Sequence, residues 1–283
     1  MSTENTKLVV AISPWTLQAH PSPDAPWSLE EQLAAVKAAG FNAVTCKSTI
    51  PGVRDLLIKY DLSYGGFFDA YDSQEFETLI EACLEIGNGP MNCQLADHDT
   101  LPEESVPLTV QLMEVAEKLG ARVHLEVHRD TCTETPEKTA AIIEGYKKVT
   151  GKAPLVNYDF SHPASVKHLN ADNYIERLFD DVDTFQQGNL WHMRPFNGHH
   201  CQVPVTDGNG NFTAEYQDLR PFIRQAYIHW LNGPRPNNEF WVVPELGPKV
   251  GYGLSSFPCI WEDAVSLGRD LEKIWVEVVE SDV

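Results

Sequence analysis

Arg122-Val123-His124-Leu125-Glu126-Val127-His128 alternates in character, and Thr135-Pro136-Glu137 follows it after a short polar break. A period of two puts Val123, Leu125 and Val127 on one face of a strand and His124, Glu126 and His128 on the other. Thr135 can cap a helix, and Pro136 suits its first position, where the missing N–H costs no hydrogen bond. Gly151 then ends that helix. The stretch is one strand-then-helix unit.

The same unit recurs in both directions. Upstream, Lys7–Ser13 is a strand, and Ser28-Leu29-Glu30-Glu31 is a capping box opening a helix that Gly40 ends. Asn42–Lys47, Leu62–Phe67 and Met91–Ala96 are further strands. Between them come a short helix after Pro51, a helix capped by Asp72 with Glu75 at its third position, and a helix ending at Gly120. Downstream, Pro154–Ser161, Leu190–Arg194 and Phe240–Leu246 alternate with helices at Asn173–Phe179, Asp218–Trp230 and Ile260–Val279. Eight such units without a proline-rich linker or composition break predict an α/β protein, a single (β/α)8 TIM barrel forming one domain over residues 1–283.

A chain of 283 residues that is 42% hydrophobic and 10% aromatic can bury a large core, which excludes disordered and collagen-like classes. Its formal charge of -20 repels phosphate backbones and anionic bilayers, so neither nucleic acid nor membrane is an expected partner. The apolar run Leu8–Ile12 is too short for a secretory signal, and no stretch reaches the ~18 apolar residues of a spanning helix. Cys46, Cys83, Cys93, Cys132, Cys201 and Cys259 form no C-x-x-C pair, which reads as reduced thiols in a cytoplasmic protein.

Barrel chemistry belongs at the C-terminal ends of the strands. If the apolar face of each strand meets the helices, the polar face points into the barrel, where an unpaired carboxylate carries a large desolvation penalty. Parity sends Glu126, Asp159, His192 and Arg194 inward and places Glu245 on the face of Val243. Singly, Glu126 reads as a helix cap or a lysine partner, Asp159 as a loop cap and His192 as a hydrogen-bonded core imidazole. Together they are one residue from each of four successive strands, spaced 33, 33 and 53 residues apart. Three carboxylates and an imidazole at one depth suit a divalent cation. Hard oxygen donors favour Mn, Mg or Co, with Zn tolerated.

With Glu126 in LEVHRD, Asp159 and His162 in NYDFSH, His192 in LWHMRP and Glu245 in VVPELGP, the chain resembles the xylose-isomerase-like TIM barrels, the sugar isomerase/epimerase superfamily, over nearly its whole length. The resemblance implies that Glu126, Asp159, His192 and Glu245 bind a divalent metal, that Glu126 and Glu245 move protons, and that His162 touches substrate. The paired His199-His200 and its long loop depart from the pattern.

Further substrate contacts are expected from His128, Arg129, Arg194, Lys47, Gln94, Trp15 and His199. Lys47 and Gln94 face inward by parity, and Trp15 stands just past the first strand. Asp207-Gly208-Asn209-Gly210-Asn211 reads as a hairpin turn rather than a dinucleotide or calcium loop. The expected activity is epimerisation or aldose–ketose isomerisation of a carbohydrate through an enediolate, with Glu126 and Glu245 as acid and base. A β-elimination on a keto-sugar, keto-glycoside or inosose is the alternative outcome. The expected partners are a small carbohydrate and, for assembly, further copies of the chain.

Overall fold

The caps and stops in the sequence set the element boundaries in the computed structural model, which describes residues 6–248 and 251–281. Residues 1–5, 249–250 and 282–283 of the domain expected over 1–283 lie outside the described residues. The barrel strands are β1 (Lys7–Ile12), β2 (Ala43–Lys47), β3 (Ser63–Ala70), β4 (Met91–Leu95), β5 (Val123–Val127), β6 (Val156–Asp159), β7 (Leu190–Met193) and β8 (Glu239–Pro244). Each pairs in parallel with its neighbours, and β1 closes the ring between β2 and β8.

Helices α1 (Leu29–Ala39), α2 (Val53–Lys59), α3 (Phe76–Leu84), α4 (Pro102–Leu119) and α5 (Pro136–Thr150) follow the first five strands. The Ser28–Glu31 capping box opens α1, and Gly40, at φ 104°, ends it in a left-handed conformation that glycine adopts without strain. Thr135 caps α5 through its hydroxyl, which accepts from the Lys138 N–H.

Several expected boundaries shift. The third strand runs on to Ala70, and Asp72 caps a short 3-10 turn, Ser73–Glu75, so that α3 begins only at Phe76. The sixth strand stops at Asp159 instead of Ser161, because the Asp159 carboxylate accepts from the Ser161 N–H and turns the chain into α6 (Ser161–Val166). The single helix expected near Asn173–Phe179 is one of two short pieces, α7 (Tyr174–Leu178) and α8 (Val182–Gln187). The last helices are α9 (Ala214–Leu231), starting earlier than its apolar pattern suggests because Thr213 caps it, and α10 (Ile260–Glu280).

Outward-facing strand residues pack with the helices around Trp191, Trp230, Tyr227, Phe222 and Phe240, all buried. Inward-facing residues are polar at the C-terminal mouth. The long loop after β7 is pinned by α10: the buried Asp263 carboxylate accepts from the Val205 and Thr206 N–H groups and the Thr206 hydroxyl. Beyond that anchor, Thr206 and Phe212 bridge across the Asp207–Asn211 turn, so this stretch is a hairpin.

Asp263→Ala leaves two backbone N–H groups buried without acceptors, at a cost of about 1–3 kcal/mol each. Denaturant titration of the variant should show a lower midpoint at unchanged slope. An unchanged midpoint would show that the anchor does not hold the loop.

Candidate active site

Glu126 is the centre of a buried polar layer. Its Oε2 accepts from Asn92 Nδ2 at 2.6 Å, and its Oε1 lies 2.9 Å from His192 Nδ1. Asn92 in turn accepts from Asn157 Nδ2 at 2.8 Å, and Asn157 Oδ1 accepts from the His192 N–H at 2.9 Å. Four strands are thereby tied together by side chains that parity directs inward. One step closer to the floor, His124 is a structural imidazole. It takes the Asn189 N–H on Nε2 and sits 3.3 Å from the Met91 carbonyl, and burial lowers its pKa to about 3, so it is neutral.

Glu245 stands just past β8, its N–H donating to the Met193 carbonyl. Its carboxylate is 3.4 Å from His192 Nδ1 and is paired with the buried Arg194, whose Nε also donates to the Glu245 carbonyl. Ligand atoms of Glu126, His192 and Glu245 all lie within 4.8 Å of one another. Among the described residues Asp159 stays outside that group. Its Oδ2 is 3.4 Å from both Arg194 Nη2 and His162 Nε2, and neither Asp159 Oδ2 nor His162 Nε2 completes a hydrogen bond.

The strand register accounts for this separation. Glu126 is opposite Asn157, Asp159 is opposite His192, and His192 is opposite Val243, two residues before Glu245. The four residues expected at one depth therefore step along the barrel, as the tilt of closed sheets requires.

Burial alone would push these carboxyls up. For Glu126 the positive charge and hydrogen bond of His192, the His128 charge and Asn92 reverse that and hold it at about 2. Glu245 is lowered by His192 and Arg194, and Asp159 by Arg194 and His162, each against the same burial penalty. His192, conversely, is raised well above its ordinary 6.5: burial opposes its charge, but Glu245 and Glu126 outweigh it.

A cavity of about 700 Å³ opens above this cluster. Trp15, Lys47, Gln94, His128, Arg194, His192 and Glu245 line it, so these expected contacts share one chamber. Lys47 is paired with Asp69 there. Arg129, His162 and His199 border instead a neighbouring cavity of about 310 Å³, and Tyr252 lines both. The guanidinium of Arg194 lies 4.4 Å from the Tyr252 ring centre and that of Arg129 lies 4.8 Å from it.

Asn92, Asn157, Asp69 and Tyr252 were not singled out from sequence. Asn92 and Asn157 share the inward parity of Gln94 and Asp159, a usable signal. Tyr252, in an irregular segment, carries none.

The donor set suits a hard divalent cation. Two carboxylates and an imidazole converge, and the Asp159 Oδ2 beside them is buried and completes no hydrogen bond, with Arg194 Nη2 at 3.4 Å as its charge partner.

No protein-family model and no curated protein matches the sequence. The structure is similar to a xylose isomerase-like TIM barrel protein from Mycobacterium smegmatis in complex with magnesium, with TM-score 0.61 and 15% identity over 100% of this chain and 99% of that one. The chain has the xylose isomerase-like TIM-barrel fold. It is also similar to a D-allulose 3-epimerase from Methylomonas sp. in complex with D-allulose (TM-score 0.56, 12% identity, 98% of both chains). A probable 3-DHS dehydratase from Bacillus anthracis gives TM-score 0.55 and 14% identity over 94% of this chain and 98% of that one. All six cysteines are free, and among the described residues no helix is long and apolar enough to cross a membrane.

The pKa of Glu126 in the folded chain is below the ordinary 4.5, so its contribution to stability is present above about 4.5 and is lost as pH falls toward 2. The contribution of His192 is fully present below 6.5 and lost as pH rises through its raised value, outside the acid window. Denaturation of metal-free protein between about pH 5 and about pH 3 should therefore show a steeper loss of stability in wild type than in Glu126→Gln. Equal slopes would contradict the ion-paired state of Glu126.

Proposed function

We propose that the chain is a divalent-metal-dependent isomerase or epimerase acting on a sugar or sugar derivative. The buried Glu126–His192–Glu245 group at the base of an open cavity of about 700 Å³ carries the reading. These three residues would hold the ion with Asp159 as the fourth donor, and Mn, Mg or Co fits them better than Zn. When bound, the ion supplies positive charge that polarises a substrate carbonyl and acidifies the adjoining C–H.

The remaining work falls to side chains. Glu126 on β5 and Glu245 just past β8 stand on either side of His192, so one carboxylate can take a proton from the substrate carbon and the other can return one. The first transfer leaves an enediolate. Return to the opposite face of the same carbon gives an epimer, and return to the neighbouring carbon gives the aldose–ketose isomer. Lys47, Gln94, Trp15, His128 and Arg194 would orient the sugar in this chamber, and His162, Arg129 and His199 would hold whatever extends beyond it.

A second reading keeps the deprotonation and changes its end: the enediolate expels a β-leaving group, making the enzyme a lyase or dehydratase. The room in the cavity favours retaining it. The volume is within the ~300–1,000 Å³ of pockets for drug-sized ligands, and the apolar side chains of Trp15, Ile50 and Phe67 can pack against a leaving group.

Incubation with Mn²⁺ and a panel of ketoses, aldoses and keto-glycosides in deuterium oxide should place deuterium on the carbon next to the carbonyl. Glu126→Gln and Glu245→Gln should each lower kcat by about 10²–10⁴-fold, and more where the ion is also lost. An isomeric product that keeps all its original hydrogen on carbon would contradict the two-glutamate transfer. Loss of water or aglycone without an isomer would select the lyase.

Because a bound cation beside both glutamates would favour their ionised form, the acid limb of the rate should fall below their ordinary value of 4.5 in metal-saturated enzyme. A rate that fails near the ordinary histidine value of 6.5 would instead assign the base to an imidazole.

A further inference from the structure

We infer that the second cavity is a recognition subsite for an anionic end of the substrate, a phosphate ester or a carboxylate. This rests on the proton-transfer reading for which end of the molecule reacts.

The observation is an imbalance of charge. Acidic residues outnumber basic ones 41 to 21 in this chain, yet among the described residues lining the 310 Å³ cavity there is no aspartate or glutamate. Its polar wall instead holds Arg129, His162, His199 and His200, while the Ser165 hydroxyl is spent on the Ser161 carbonyl at 2.9 Å. The amide of Gln202 is already occupied, donating to the Gly247 carbonyl and accepting from its N–H. The chamber over the glutamates is different: it mixes Lys47 with Asp69 and Gln94, donors with acceptors, as the hydroxyls of a neutral sugar require. The second cavity therefore offers donors against few free acceptors.

The donors are also available. Arg129 is exposed, and among the described residues it forms no ion pair. Its guanidinium lies over Tyr252, and Nη1 points to Cys201 Sγ at 3.4 Å, a weak acceptor that an anionic oxygen would displace. His162 is 3% exposed, and its Nε2 has no hydrogen-bond partner. The His199 ring meets the rings of His168 and His200, at 4.5 Å and 6.3 Å between centres. A planar guanidinium beside imidazole N–H groups matches the fork geometry of phosphate and carboxylate.

The position fits a substrate that spans both chambers. Tyr252 lines each of them, Arg129 follows His128 of the main chamber, and His162 Nε2 is 3.4 Å from Asp159. In a chain of charge -20, which repels anions at long range, a carboxylate-free pocket next to the reacting centre selects an anionic substrate by local contacts.

Calorimetric titration of metal-free protein with inorganic phosphate, and separately with acetate, tests this. One anion should bind at a single site, phosphate more tightly if the substrate is a phosphate ester and acetate if it is a carboxylate. Arg129→Gln and His199→Gln, both exposed positions whose folding is checked by thermal melting, should each weaken it, Arg129→Gln by about tenfold or more. Absence of binding by either anion, or wild-type affinity in Arg129→Gln, would overturn the inference. Glu126→Gln should keep the anion affinity within about twofold. Anion binding without solvent exchange in any substrate would thus reject the proton-transfer reading alone, whereas exchange without anion binding would reject the subsite alone.

Discussion

Three carboxylates, Glu126, Asp159 and Glu245, are buried in a barrel of overall charge -20, and opposite charge does most to keep them ionised there. His192 does this for Glu126 and Glu245, and Arg194 for Glu245 and Asp159. Neither cation can leave without stranding an anion, so the mouth of the barrel is held at one geometry by electrostatics rather than by apolar packing alone. Asn92 donates to the Glu126 oxygen that His192 leaves open, and Asn157 donates to Asn92 and holds it there. A divalent cation held by Glu126, His192 and Glu245 would take over the neutralisation now provided by the protonated imidazole. The structural requirement and the catalytic proposal are therefore the same charge balance.

That balance also divides the substrate surface. Arg194 is committed to two carboxylates, and Lys47 to Asp69, so the cations of the main chamber are internally compensated. Arg129, across Tyr252, forms no such pair among the described residues. Neutral recognition beside the reacting carbon and charged recognition farther out follow from which cations already have partners.

The fold could be read because each local signal agreed with the global one: period-two strands, the Ser28 and Thr135 caps, and glycines closing α1, α4 and α5. Boundaries failed where a side chain competed with the pattern. Asp159 ends β6 by capping the next turn, and the segment after it breaks into three short helices around a cluster of aromatic rings that a helical repeat does not encode. Parity also found the inward-facing residues of the site, since it depends on the sequence alone. Depth did not follow, because it depends on strand tilt, which no single strand records. Arg194 shows the same limit: its inward direction was legible, but its engagement with Glu245 and Asp159 depends on three strands meeting.

In the proposed function Glu126, His192 and Glu245 form one cation-binding centre. Diffraction from crystals soaked in Mn²⁺, recorded at the manganese absorption edge, tests it most directly. One dominant anomalous peak is expected about 2.0–2.2 Å from a carboxylate oxygen of Glu126, a carboxylate oxygen of Glu245 and a ring nitrogen of His192, lost in Glu126→Gln. A peak held by other residues, or none at saturating manganese with these three side chains ordered, would contradict it.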